Sequence, residues 1–271
     1  MIKFEGVEYV YPSGIKALDG VSLEIKRGEV AAIMGENGAG KTTLLKHMNG
    51  LLKPSRGRVL IDGVDTRKAT VAELSRKVGI VFQNAEEMFF SGSVWEETAF
   101  ALRNFGYSEN VIKRRVRWAL HFMELEEYRD KSPFLLSGGE KKRLALAIIL
   151  AWSPDVIVLD EPTVGQDQLQ KEKMIQVIKL LNTQGRTVVI SSHDVEFVAE
   201  LKPRIILMSR GKIVGDGSAE EMMTQFNLLS RCNLLPPQIV QLTSRLGFLG
   251  IKPHLASAEE VAQEILERVG R

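Results

Sequence analysis

One cysteine, Cys232, is present in 271 residues, which excludes an internal disulfide and suits a reducing compartment. Long apolar runs are missing too. The longest, Leu144 to Trp152, is about half of the ~20 residues that a membrane-spanning helix needs. Met1-Ile2-Lys3-Phe4-Glu5 lacks the apolar core of a signal peptide, so a membrane role would be served from the cytoplasmic side through a partner. Excess charge is also absent: the net +2 gives no reason to expect nucleic acid as a partner, and Lys113-Arg114-Arg115-Val116-Arg117 reads as a solvated helix face. There is no internal repeat and no low-complexity segment. What remains is an ordinary soluble composition, 44% hydrophobic and 26% charged, long enough for one large α/β domain with an appendage or for two modest domains.

The most informative stretch is Gly35-Glu36-Asn37-Gly38-Ala39-Gly40-Lys41-Thr42. It follows the apolar run Val30 to Met34 and precedes the helix-like Thr43 to Met48, matching the phosphate-cradling pattern G-x-x-x-x-G-K-[ST] at every fixed position. Three glycines let the backbone close on an anion, with N–H groups and the positive end of the next helix aimed at it. Lys41 then reaches the β- and γ-phosphates, and the Thr42 hydroxyl ligates Mg²⁺. A plain Gly-rich turn has no reason to carry Lys and Thr directly after its last glycine.

Around this loop the patterns alternate between strand and helix. Ile2 to Tyr11 and Val21 to Ile25 read as a small antiparallel section joined by the turn Pro12-Ser13-Gly14, and Arg58 to Gly63 adds a strand and turn. Tyr9 and Tyr11 share a face, where a ring can stack on a purine or simply fill core. Val78 to Phe82 is a buried strand that delivers Gln83. Met88-Phe89-Phe90 is either core or an exposed docking patch. From Ser93 to about Glu127 two helical faces suggest an insertion standing apart from the sheet, ended by Ser132-Pro133-Phe134.

Leu136-Ser137-Gly138-Gly139-Glu140 opens another helix, and Ser137 with Glu140 has capping-box spacing. The glycines bare the helix N-terminus, and Lys141, Lys142 and Arg143 place positive charge where the dipole disfavours it, a conflict that a bound phosphate relieves. Val156 to Leu159 reads as a central parallel strand ending in Asp160-Glu161, carboxylates suited to metal coordination and water positioning at a strand's carboxyl end. Thr187 to Ile190 repeats the pattern and delivers His193. Ile205 to Ser209 and Lys212 to Asp216 form a closing hairpin, and the remainder, Ala219 to Arg271, is helical with breaks at Pro236-Pro237 and Lys252-Pro253.

In this order, the phosphate loop, Gln83, Leu136 to Glu140, Asp160-Glu161 and His193 resemble the ATP-binding cassette of ABC transporters. The resemblance covers roughly Met1 to Ser218 and implies an α/β fold of the P-loop NTPase, ABC ATPase type. That means a central, mostly parallel sheet, an N-terminal antiparallel β section and a helical subdomain over about residues 86–152. A small helical extension, 219–271, would follow and hold an ATPase pair together. It implies ATP and Mg²⁺ as cofactors and head-to-tail pairing with a second ABC ATPase subunit, the same or related. Tyr11 would stack on adenine, and Gly35, Glu36, Asn37, Gly38, Ala39, Gly40, Lys41, Thr42 and Thr43 would hold the phosphates and the metal. Gln83 would touch Mg²⁺ and the attacking water, and Asp160 would bind the metal shell, through water. Glu161 would act as general base and His193 would hold the γ-phosphate. Ser137, Gly138, Gly139, Glu140 and Asp167 would serve the partner's ATP.

The family's small-Gly-Leu-Asp stretch after the catalytic Glu is Val164-Gly165-Gln166-Asp167 here, which puts crosstalk between paired sites in doubt. Phe82-Gln83-Asn84 through Phe89-Phe90-Ser91 to Phe100, with the tail segments Leu234 to Leu242 and Ser257 to Val261, is similar to the ATPases of energy-coupling factor (ECF) importers. Alanine at 85 and methionine at 88 depart from that pattern. The resemblance implies an integral transmembrane subunit, a substrate-binding membrane subunit and uptake of cobalt, nickel or a vitamin. Two other readings remain: a soluble ABC ATPase of translation or repair, and a nucleotide sensor without turnover.

Overall fold

The computed structural model describes residues 1–269. Strands β1 (Ile2–Val10), β2 (Lys16–Ile25), β4 (Arg56–Ile61) and β5 (Val64–Asp65) form an antiparallel sheet ordered β2-β1-β4-β5. A second sheet runs β10-β9-β3-β8-β7-β6, built from β3 (Val30–Met34), β6 (Val78–Val81), β7 (Val156–Asp160), β8 (Thr187–Ser192), β9 (Arg204–Ser209) and β10 (Lys212–Ser218). In it β6, β7, β8, β3 and β9 are parallel, and only β10 pairs antiparallel.

The parallel strands are apolar throughout because both faces are covered. Along β3, Ala31 and Ile33 join the core shared with the antiparallel sheet, whereas Ala32 and Met34 join the core under the helices. Strand β7 divides likewise, with Val156 and Val158 on one side and Ile157 and Leu159 on the other. Helix α1 (Lys41–His47) inserts Leu44 and Leu45 into the first core. Helices α5 (Gly138–Trp152) and α6 (Gln168–Thr183) cover the second face.

Helices α3 (Val94–Asn104) and α4 (Glu109–Phe122) form where the sequence predicts helix, bounded by a Ser93 cap that accepts from the Glu96 N–H. They do not stand apart from the sheet. Val94, Leu102, Ile112 and Val116 pack into the same continuous cluster as Leu159 and Ile190, because α5 bridges the helices to the strands with a nearly all-apolar surface. The patch at residues 88–90 also divides: Phe89 is buried, while Phe90 is 60% exposed and its ring lies 4.4 Å from that of exposed Phe100.

Register fixes the functional edge. Met34 pairs with Ser192, Asp160 with Ser191, and Val81 with Leu159. The strands therefore end level, and the residues that follow, Gly35, His193, Glu161 and Gln83, emerge on one edge of the sheet. In open parallel sheets this carboxyl edge is where ligands bind. After Ser218 the described chain continues as the helices α8 (Ala219–Met223), α9 (Phe226–Arg231), α10 (Gln238–Arg245) and α11 (Ala258–Val269). Among the described residues, no helix is long and apolar enough to cross a membrane.

Candidate nucleotide site

The loop between β3 and α1 is shaped by glycines that no other residue can replace. Gly35 has φ 154°, and a Cβ there would collide with the Met208 carbonyl oxygen of β9. Gly40 has φ 103°, and its Cβ would come within 2.5 Å of the Ala17 carbonyl oxygen. Gly40 is also the N-cap of α1 and offers no side chain to the first turn, in contrast to the Ser, Thr and Asp caps of α2 (Val71–Ser75), α5 and α6. The first N–H groups of α1 thus stay open toward an anion.

Lys41 is buried, and its ammonium rests on three oxygens: the Gly35 carbonyl at 2.8 Å, the Glu36 carbonyl at 3.2 Å and Glu161 Oε1 at 3.3 Å. The other carboxylate oxygen of Glu161, Oε2, lies 2.9 Å from His193 Nδ1. One buried carboxylate therefore joins a phosphate-loop lysine to the histidine after β8. Glu161 holds φ 49°, a conformation costly for a non-glycine residue and concentrated at functional positions. Its N–H donates to the carbonyl and the hydroxyl of Ser191, and the same hydroxyl donates to Asp160 Oδ1. Ser191 thus holds the Asp160 carboxylate and the backbone of Glu161 in place. No periodicity marks Ser191 as functional; the signal for it is its place one position from the end of β8, beside the strand that carries Asp160.

Lys41 and Glu161 line one cleft of about 360 Å³, together with Tyr11, Asn37, Gly38, Gly40, Thr42, Thr43 and Gln83, while His193 and Asp160 border it through their contacts with Glu161 and Ser191. The Tyr11 hydroxyl is hydrogen-bonded to Thr43 Oγ1 at 2.9 Å, and its ring meets Tyr9 edge-on at 4.9 Å. Tyr9 in turn meets buried His47, so it belongs to the core while Tyr11 reaches the cleft. Glu36 and Ala39 belong to the same loop, with Glu36 half-buried and Ala39 buried. Thr42, Gln83 and Asp160 also line an adjoining cleft and present only oxygen donors besides the amide nitrogen, a set that fits Mg²⁺. No cluster of three or more His, Cys, Asp or Glu exists among the described residues, so such a metal would keep water and phosphate as its other ligands.

The Ser137 to Glu140 segment does not join this cleft. Ser137 caps α5 by accepting from the Glu140 N–H at 3.4 Å, and the Ser137 N–H donates to Glu140 Oε2 at 2.7 Å, completing the expected capping box. The Tyr128 hydroxyl and these Ser137 groups hold the Glu140 carboxyl below its usual range. Ser137 and Gly138 face solvent, while Gly139 and Gln166 border a separate groove between α5 and α6. Asp167 is exposed and caps α6 by accepting from the Gln170 N–H at 2.8 Å.

The three cations after this cap do not wait for a phosphate. Lys141 pairs with Glu86 at 2.6 Å, the Lys142 ammonium donates to the Val164 carbonyl, and Arg143 donates to the Met123 carbonyl at 3.1 Å. Burial lowers the Lys142 pKa, opposed by the charge of Glu161. Ser137→Ala is expected to cost about 1 kcal/mol of unfolding free energy, the usual value of a lost N-cap, in a denaturant titration.

A parallel sheet whose carboxyl edge carries a glycine-built anion loop, a buried lysine and two adjacent carboxylates defines a P-loop nucleotide-binding cassette. Comparison with known proteins gives the same class. The family model described as ABC transporter matches residues 18–164, and the chain belongs to this family of ATP-hydrolysing cassettes. It is 40% identical over 273 residues to the energy-coupling factor transporter ATP-binding protein EcfA of Methanothermobacter thermautotrophicus, covering 100% of this chain and 88% of EcfA. A longer relative from Caldanaerobacter subterraneus, a putative ABC transporter ATP-binding protein, is 43% identical over 254 residues, but this chain spans only 45% of its length. Among solved structures, cbiO1 of Clostridium perfringens, described as part of the ABC transporter complex cbiONQ, superposes with TM-score 0.75 at 34% identity, covering 92% of this chain and 98% of cbiO1.

Proposed function

We propose that this chain is the ATP-hydrolysing subunit of an ECF-type importer, working at the cytoplasmic face of the cell membrane to energise uptake of a micronutrient. The cargo would be a cobalt or nickel ion or a vitamin. The observation that carries the reading is the meeting of Lys41 and His193 on the Glu161 carboxylate, which lines the cleft with Tyr11, Thr42, Thr43 and Gln83. Likeness to EcfA and cbiO1 over nearly the whole chain supports the subfamily.

In this reading Tyr11 stacks on adenine, and the backbone from Gly35 to Thr43 cradles the phosphates. Lys41 exchanges its three present oxygens for those of the β- and γ-phosphates. That exchange frees Glu161 to take a proton from the water attacking the γ-phosphorus, while His193 turns to hold the γ-phosphate. Gln83 positions that water. Thr42, Gln83 and, through water, Asp160 would hold Mg²⁺, which would supply positive charge against the negative charge developing on the phosphates.

The site is one half of a working unit. Ser137, Gly138, Gly139 and Glu140, with Asp167, would serve the ATP of a second ABC ATPase subunit in a head-to-tail pair. Exposure of Ser137, Gly138 and Asp167, away from the chain's own cleft, supports this. The helices after Ser218 would hold the pair together, and their exposed Phe248 and Leu266 supply apolar surface for it.

Phe90 and Phe100 would receive a helix from the integral transmembrane subunit, beside which a separate membrane subunit binds the substrate. Phe90→Asp is expected to abolish substrate uptake in cells while ATP binding by the purified chain stays unchanged. Normal uptake by that variant would refute the assignment. Copurification with membranes, rather than with ribosomes or DNA, separates the importer from a soluble ABC ATPase.

A further inference from the structure

Beyond β10 the chain turns back toward the edge of the sheet that carries the cleft. Helix α9 is anchored to β9 by the Ser209 hydroxyl, which donates to the Arg231 carbonyl at 3.1 Å, and by the buried Leu229 and Cys232. The next residue, Asn233, has φ 52°, a left-handed conformation that asparagine tolerates better than most side chains. This turn carries its side chain to the phosphate loop, where Nδ2 donates to Glu36 Oε2. A second tie follows at Gln238, whose N–H donates to Glu196 Oε1 at 2.8 Å. Glu196 lies in the first turn of α7 (Val195–Leu201), just after His193. The extension therefore touches both the phosphate-loop segment and the segment after His193.

Glu36 is an odd residue for its place. Among the loop's variable positions, Glu36, Asn37, Gly38 and Ala39, it alone is charged, and it is negative in a loop shaped for an anion. A carboxylate free to swing across the mouth of that loop would repel a triphosphate. Its charge instead lies beside the extension: burial raises the Cys232 thiol pKa, and the Glu36 carboxylate adds to the rise.

We propose that Asn233 is a positioning residue for the phosphate loop: its amide holds the Glu36 carboxylate outside the loop, and the C-terminal helices thereby become part of nucleotide recognition. The inference rests on the ATP-binding reading above. By linkage, nucleotide bound in the loop strengthens the docking of the extension by the same factor.

The test uses the full chain titrated with ATP and Mg²⁺, with turnover measured in parallel. Asn233→Gly keeps a backbone that suits φ 52° and removes only the amide, so strain does not enter. Kd and KM for ATP should rise about three- to tenfold, the net worth of one typical hydrogen bond at an exposed position, with kcat unchanged. Asn233→Asp, which sets two carboxylates against each other, should rise further. In a Glu36→Gln background the Asn233→Gly change should shift Kd by less than about twofold, because the charge being restrained is gone. A merely structural role for Asn233 predicts equal losses in both backgrounds. That result, or an unchanged Kd in Asn233→Gly, overturns the proposal. A parent chain that binds no ATP fails the ATP reading itself and takes this inference with it; a parent that binds while the variants match it sinks only the role of Asn233.

Discussion

Glu161→Gln is expected to lower ATP turnover by about 10²- to 10⁴-fold, the usual contribution of a general base, while ATP stays bound. Glutamine keeps the shape of the side chain and its oxygen toward Lys41, 3.3 Å away in the parent chain, but it cannot take a proton. The positive φ of residue 161 and the two hydrogen bonds from its N–H to Ser191 are backbone features that the substitution leaves alone. Binding should therefore survive and chemistry should not. Phosphate release and retained nucleotide, measured on one preparation, check both halves. Turnover within about tenfold of the parent would remove Glu161 from the proton transfer.

Gly35→Ala is expected to abolish ATP binding and to destabilise the fold by about 3 kcal/mol, by combining a strained φ with a steric collision. The new methyl group would meet the Met208 carbonyl in β9, a strand fixed between β3, up to Leu207, and β10, which pairs with Met208 through Ile213. A flexible side chain could move aside; a ladder carbonyl cannot. Either β3 and β9 separate or the loop leaves its cradle shape, and both outcomes misdirect the N–H groups proposed to hold the phosphates. Isothermal titration with ATP and a thermal melt give the two readouts. A variant that binds ATP as the parent does would show that the loop tolerates a side chain at 35.

Much of this site is legible in the sequence because parallel strands translate order along the chain into position along an edge. Four apolar runs ending in Gly35, Gln83, Asp160-Glu161 and His193 bring those residues together once the register is level, as Met34 with Ser192 and Asp160 with Ser191 make it. The capping box at Ser137 and Glu140 is equally local and forms as spaced. What periodicity could not show is contact between distant segments. The hold of Ser191 on the Glu161 backbone and the Asp160 carboxylate depends on pairing across 30 and 31 residues. The reach of Asn233 to Glu36 spans 197. The helices from Val94 to Phe122 read as separate because their own faces are amphipathic, but α5 presents apolar side chains to the sheet and to α3 and α4, so one core forms. The partners of Lys141 to Arg143, namely Glu86, the Val164 carbonyl and the Met123 carbonyl, come from other loops, so local spacing leaves these cations looking unpaired.

The most direct test of a shared, two-chain site is the mass of the Glu161→Gln chain measured by light scattering with and without ATP and Mg²⁺. Stalled hydrolysis should hold ATP between the Lys41 cleft of one chain and the Ser137 helix of the next, doubling the mass only when nucleotide is present. A chain that binds ATP one to one yet keeps the mass of a single copy, even with a related cassette supplied, would contradict it.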